Sequence, residues 1–166
     1  MEMNFPVLLG SALVPLIIGF IWYNPKVFGA AWMKAAEMTE EKMQGANMGL
    51  IFGLSFVLSI LLAMGVQVLV IHQFHIGSIL MGEMGFGTEG SDVMNYLSEF
   101  MGKYGNNFRT FKHGVFHGVI DTLFIVMPIL ATNAMFERKG FKYIAVNVGY
   151  WAVTLGLMGG IICQWG

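Results

Sequence analysis

Phe5–Tyr23, 49–75 and Tyr143–Trp165 contain no Asp, Glu, Lys or Arg, and 111–136 holds only Lys112 and Asp121 in an otherwise apolar run. An α-helix rises about 1.5 Å per residue, so about twenty such residues cross roughly 30 Å of hydrocarbon. In lipid a spanning segment must satisfy its own backbone, which leaves helices or closed barrels, and these long uninterrupted runs select helices. The chain therefore reads as one all-α domain over 1–166, a polytopic membrane protein with four transmembrane helices at about 5–23, 49–75, 111–136 and 143–165. A long connection at about 76–110 joins the second and third.

Composition supports this class. Only 11% of residues are charged and 56% are hydrophobic, against about 25% charged in soluble domains. Nine basic and ten acidic residues leave a formal charge of −1, which provides no basic surface for nucleic acid. Cys163, the one cysteine, cannot form a disulfide within the chain and sits in an apolar run. Glu2 stands where a secretion signal would be basic, and no small-residue cleavage site precedes Trp22-Tyr23-Asn24-Pro25, so the first span is expected to be retained.

Local signals refine the layout. Pro15 inside the first span predicts a kink and a carbonyl that a neighbour must satisfy. Asn24 as cap and Pro25 at the first helical position start an amphipathic helix over Lys26–Glu37, expected to lie in the membrane interface. Thr39 with Glu40 and Glu41 is a second start signal, from which the second span begins a turn or two outside the bilayer. Gly77 predicts a helix stop, and Ser91-Asp92 caps a surface helix to about Met101. Gly45, Gly49 and Gly53 form one small-residue strip, and Ala145, Gly149, Ala152, Gly156 and Gly160 form another, both suited to close helix packing. Lys26, Lys34, Lys42, Arg138, Lys139 and Lys142 flank one side of the spans, and Lys103, Arg109 and Lys112 the other. The positive-inside rule then places both termini and the long connection outside.

The motifs Gly19-Phe-Ile-Trp-Tyr-Asn-Pro-Lys-Val-Phe-Gly-Ala-Ala-Trp-Met-Lys34 and Asn147-Val-Gly-Tyr with Leu157-Met-Gly-Gly160 resemble those of a family of small bacterial integral membrane proteins of unknown function. The resemblance implies a four-helix protein of the inner membrane and no activity. The long connection is larger than the resemblance leads one to expect.

Polar chemistry concentrates in His113-Gly-Val-Phe-His117-Gly-Val-Ile-Asp121. At four-residue spacing on a helix these three side chains drift by only about 40° per step and line one stripe. Ionisable groups at membrane depth normally face a bundle interior or an aqueous path. His72, His75, His113 and His117, all four histidines of the chain, fall toward the same side of the membrane. They form a candidate ligand set for a divalent metal, with axial haem ligation as a second use. His113, His117 and Asp121 also suit a proton or ion relay. No nucleophile with an adjacent base, phosphate-cradling loop or zinc-protease signature is present, so an enzyme is not expected.

Two functional readings follow. In the first, a pocket of His113, His117 and Asp121, with His72 or His75 opposite, binds or passes a cation, proton or small solute. In the second, the chain is a structural or accessory subunit whose polar stripe only sets helix register. Both expect the small-residue strips to engage copies of the chain or a larger membrane complex.

Overall fold

The computed structural model describes residues 3–166. Its helices include four long and apolar enough to cross a membrane, Phe5–Trp22, Met48–Val70, Phe111–Phe136 and Phe141–Trp165, and no strand occurs among the described residues. The fourth span is the central one. In its most apolar stretch 61% of residues are buried, against 22% in the first span and 17% in each of the other two, and it packs against all three. Leu155, Met158, Ile162 and Cys163 of this helix meet Leu8 and Ala12 of the first span and Ala63, Val66 and Val70 of the second in one core.

Proline chemistry divides the first span. Pro15 has no N–H to return to the carbonyl one turn earlier, and the span is two helices, Phe5–Ser11 and Val14–Trp22, with a turn at Ala12 and Leu13. The buried Tyr150 hydroxyl donates to the Pro15 carbonyl at 2.9 Å. Beyond Trp22 the expected cap forms, with Asn24 Oδ1 accepting from Lys26 N at 2.9 Å. The helix opens with a π turn over Pro25–Gly29 before Ala30–Ala36. Gly29 N donates to Asn24 O at 2.9 Å, and a Cβ at Gly29 would lie 2.1 Å from Tyr23 O. Gly29→Ala should therefore force this turn apart and lower stability by about 1–3 kcal/mol, read as earlier thermal unfolding in detergent.

The helix expected from Thr39 does not run into the second span. It is a single turn, Glu40–Met43, followed by Gly45 in the left-handed region at φ 81°. The span begins afresh at Met48 behind Asn47, whose Oδ1 accepts from Leu50 N at 3.0 Å. The far end also differs from expectation. The span stops at Val70 rather than His75, Ile71 is extended (φ −106°, ψ 95°), and a new helix, Gln73–Leu80, runs straight through Gly77. Ile71 is fully buried and Gln73 Nε2 donates to Asn107 O at 2.8 Å, so core packing and a long-range hydrogen bond turn the chain where no breaker residue stands.

The remaining connection holds the helix Asp92–Tyr104, with Ser91 Oγ as its cap acceptor; it continues past Met101. Arg109 Nε donates to Cys163 O at 2.7 Å, and another guanidinium nitrogen of Arg109 donates to Gly166 O, which pins the connection to the end of the fourth span. At the opposite end Lys139 Nζ lies 3.2 Å from a Glu37 carboxylate oxygen and 3.2 Å from Ala36 O, joining the turn before the fourth span to the Ala30–Ala36 helix. The third span contains a π segment, Thr122–Val126, immediately before Met127-Pro128. It gives the backbone a wider turn ahead of a proline that cannot donate.

Candidate metal site at the histidine end

Glycine fixes the rotation of the third span. A Cβ at Gly114 would lie 2.0 Å from Gly159 O, and one at Gly118 2.0 Å from Leu155 O, so the two backbones touch at these levels. His113 and His117 each precede one of these glycines, and one residue is about 100° of helix rotation. The close contact therefore turns both imidazoles aside from the fourth span. Thr110 starts the helix, with its Oγ1 accepting from His113 N at 3.2 Å.

His72 supplies the third ring. It sits in the break between Val70 and Gln73, held between buried Ile71 and the Gln73–Asn107 hydrogen bond. His72 Nε2 and His113 Nε2 are 2.9 Å apart, so one nitrogen carries the hydrogen and the other accepts it. Ring centroids are 5.1 Å apart for His72 and His113, 4.7 Å for His72 and His117, and 4.5 Å for His113 and His117. Potential ligand nitrogens of the three rings all lie within 4.8 Å of one another. His72 is exposed, and the other two are half-buried.

Two residues expected in the pocket stand apart from this cluster. His75 is exposed on the Gln73–Leu80 helix and lies outside the three-histidine group. Asp121 lies one turn below His117 on the same helix, outside the three-histidine group. Its Oδ2 is buried without a hydrogen-bond partner, as are Gln67 Oε1 and Thr154 Oγ1.

The geometry discriminates between ions. Two nitrogens about 2.0–2.1 Å from one metal stand about 2.9 Å apart at a right angle and about 3.4 Å apart at the tetrahedral angle. The His72–His113 separation thus fits neighbouring positions on one ion, with the third ring drawing in from at most 4.8 Å. Axial haem nitrogens on opposite faces of one iron stand about 4 Å apart, twice a metal–nitrogen bond. The hydrogen-bonded His72–His113 pair stands closer than that, at 2.9 Å. Imidazole donors favour zinc, copper, nickel, cobalt or iron over the hard ions magnesium and calcium.

A cavity of about 480 Å³ adjoins the cluster, lined by His72, Gln73, Ile76, Phe100, Tyr104, Asn107 and Phe108. Phe108 adopts φ 62°, a conformation uncommon for an aromatic residue, and its ring centroid lies 5.1 Å from that of His113. Of these cavity residues only His72 stands out in the sequence; no local signal marks the other six. Gly114 and Gly118 follow the two histidines in the sequence, but only their contact with the fourth span shows that they set the histidine rotation.

The fold and this cluster define a multi-pass membrane protein of the all-α class that carries a three-histidine group at one end of its bundle. More specifically, the chain belongs to the family described as Protein of unknown function (DUF1761), which matches residues 6–163. The resemblance of its first and last spans to a family of unknown function is thereby borne out. No curated protein and no solved structure matches the chain.

Proposed function

We propose that this membrane protein binds a divalent transition-metal cation through His72, His113 and His117. One observation carries the reading: three imidazoles from two separate segments converge with their ligand nitrogens within 4.8 Å. Three imidazoles with room for a further ligand resemble the donor count of a zinc site that keeps an open position. Asp121 is the next ionisable group inward, and its unpartnered oxygen supports onward passage of the cation or of a proton along the same helix face. The resemblance noted in the sequence supports a bacterial inner membrane, and the positive-inside count supports both termini and the histidine end outside.

Titration of the purified protein with Zn²⁺ against a chromophoric chelator tests the binding reading. Near-stoichiometric binding is expected, weakening as pH falls through the range where imidazoles protonate, because a protonated ring has no lone pair to give. Binding too weak to compete with the chelator at neutral pH, or binding insensitive to acid, contradicts the reading.

The accessory-subunit reading has its own support. The expected strip keeps only Gly49 and Gly53 on the second span, since Gly45 stands in the turn before it; Gly53 has nothing near its Cβ position, Gly49 meets only Asn47, and this short strip is exposed within the chain. An unused small-residue strip suits a second membrane helix, so a homo-oligomer or a larger complex is proposed. Mass measurement in nanodiscs should show more than one copy, or a copurifying partner. A single chain alone in the disc would refute it.

A further inference from the structure

We infer that the metal held by the three histidines takes an exchangeable ligand of its own, an amphiphile with an anionic head and an apolar body, whose body occupies the adjoining cavity. This rests on the proposed metal site and extends it to a substrate class. Adjacency comes first. His72 is both a member of the cluster and a wall of the cavity, and Phe108, another wall, packs its ring against His113. A metal between His72 and His113 therefore lies beside the cavity.

Charge selects the head. Three neutral imidazoles leave a divalent ion with its full charge, and none of the cavity residues is acidic. Asp121 lies one turn below His117, outside the cluster. An anionic donor such as a carboxylate or hydroxamate neutralises that charge. Shape and lining select the body. Ile76, Phe100, Tyr104 and Phe108 present chiefly hydrocarbon, and the volume falls in the range of pockets that take small organic ligands.

The left-handed Phe108 ties the cavity to the cluster. Backbone strain of this kind persists where the surroundings hold it, and it gathers at ligand-binding sites. Here it sets one ring against both a candidate ligand histidine and the cavity. Exposed Ile79, Met81, Met84 and Tyr96 on the same connection suit a cap that dips into the membrane interface, where an amphiphile is concentrated.

The test uses Co²⁺-loaded full-length protein in nanodiscs, with octanohydroxamate and acetohydroxamate as probes and the visible cobalt spectrum as readout. Octanohydroxamate should perturb the spectrum at a concentration at least about tenfold below acetohydroxamate, the longer chain being buried in the cavity. The double variant Phe100→Ala, Tyr104→Ala should keep the cobalt spectrum and lose the chain-length preference. Equal potency of the two probes overturns the inference, and so does a preference that survives in the double variant, which would reflect partition into lipid alone. Absence of any protein-bound cobalt spectrum overturns the metal site and this inference together. A cobalt spectrum without chain-length preference overturns only the latter.

Discussion

Replacing His113 by alanine is expected to weaken Zn²⁺ or Co²⁺ binding by at least about a hundredfold, because losing even an outer-shell partner of a metal ligand commonly costs ten- to a hundredfold. His113 lies 2.9 Å from His72 at the Nε2 atoms and 4.5 Å from His117 between centroids. His72→Ala and His117→Ala should follow the same direction. His75→Ala, on an exposed ring outside the three-histidine group, should leave affinity unchanged. Competition titration with a chromophoric chelator reads all four. Equal affinities across the series would remove the three-histidine group as the binding site.

Substitution at the third–fourth helix contact should have the largest effect on stability. Gly118→Ala places a methyl group 2.0 Å from Leu155 O, which is backbone and cannot swing away. The two helices must separate, at a cost of about 3 kcal/mol or more. Gly53→Ala, with nothing within 4 Å of its added carbon, should stay within about 0.5 kcal/mol of the parent. Thermal unfolding in one detergent compares them directly. Because Gly114 and Gly118 also set the direction of the histidines, Gly118→Ala should lower metal affinity in whatever fraction remains folded. Unchanged stability in Gly118→Ala would mean that the third and fourth spans do not meet as described.

Hydropathy made the spans legible because lipid imposes one simple rule on every crossing residue. Phe111–Phe136 lies where its apolar run lies, and the caps at Asn24 and Ser91 form from local chemistry. The end of the second span was not legible. Nothing in Ile71-His72-Gln73 is a breaker, and the turn there depends on burial of Ile71 and on a hydrogen bond to Asn107, far along the chain. Glycine misled in the same region, since Gly77 sits in open space inside a helix while Gly114 and Gly118 press against backbone. Spacing alone cannot separate these roles.

The site was legible in part for the same reason. Helical periodicity alone places His113 and His117 on one stripe, whereas His72 joins them and His75 does not. Asp121 shares the stripe yet stands a turn below the cluster. The cavity wall draws on the helix beginning at Gln73, the helix ending at Tyr104 and the loop holding Asn107 and Phe108. Only the folded arrangement assembles those three pieces.

X-ray absorption at the cobalt edge, on full-length protein loaded with Co²⁺ in nanodiscs, tests the metal site most directly. A shell of three imidazole nitrogens at about 2.0–2.1 Å, with one ion per chain and fewer imidazoles per ion in His113→Ala, is the predicted result. A shell of oxygen donors alone, or an undiminished imidazole shell in His113→Ala, would contradict it.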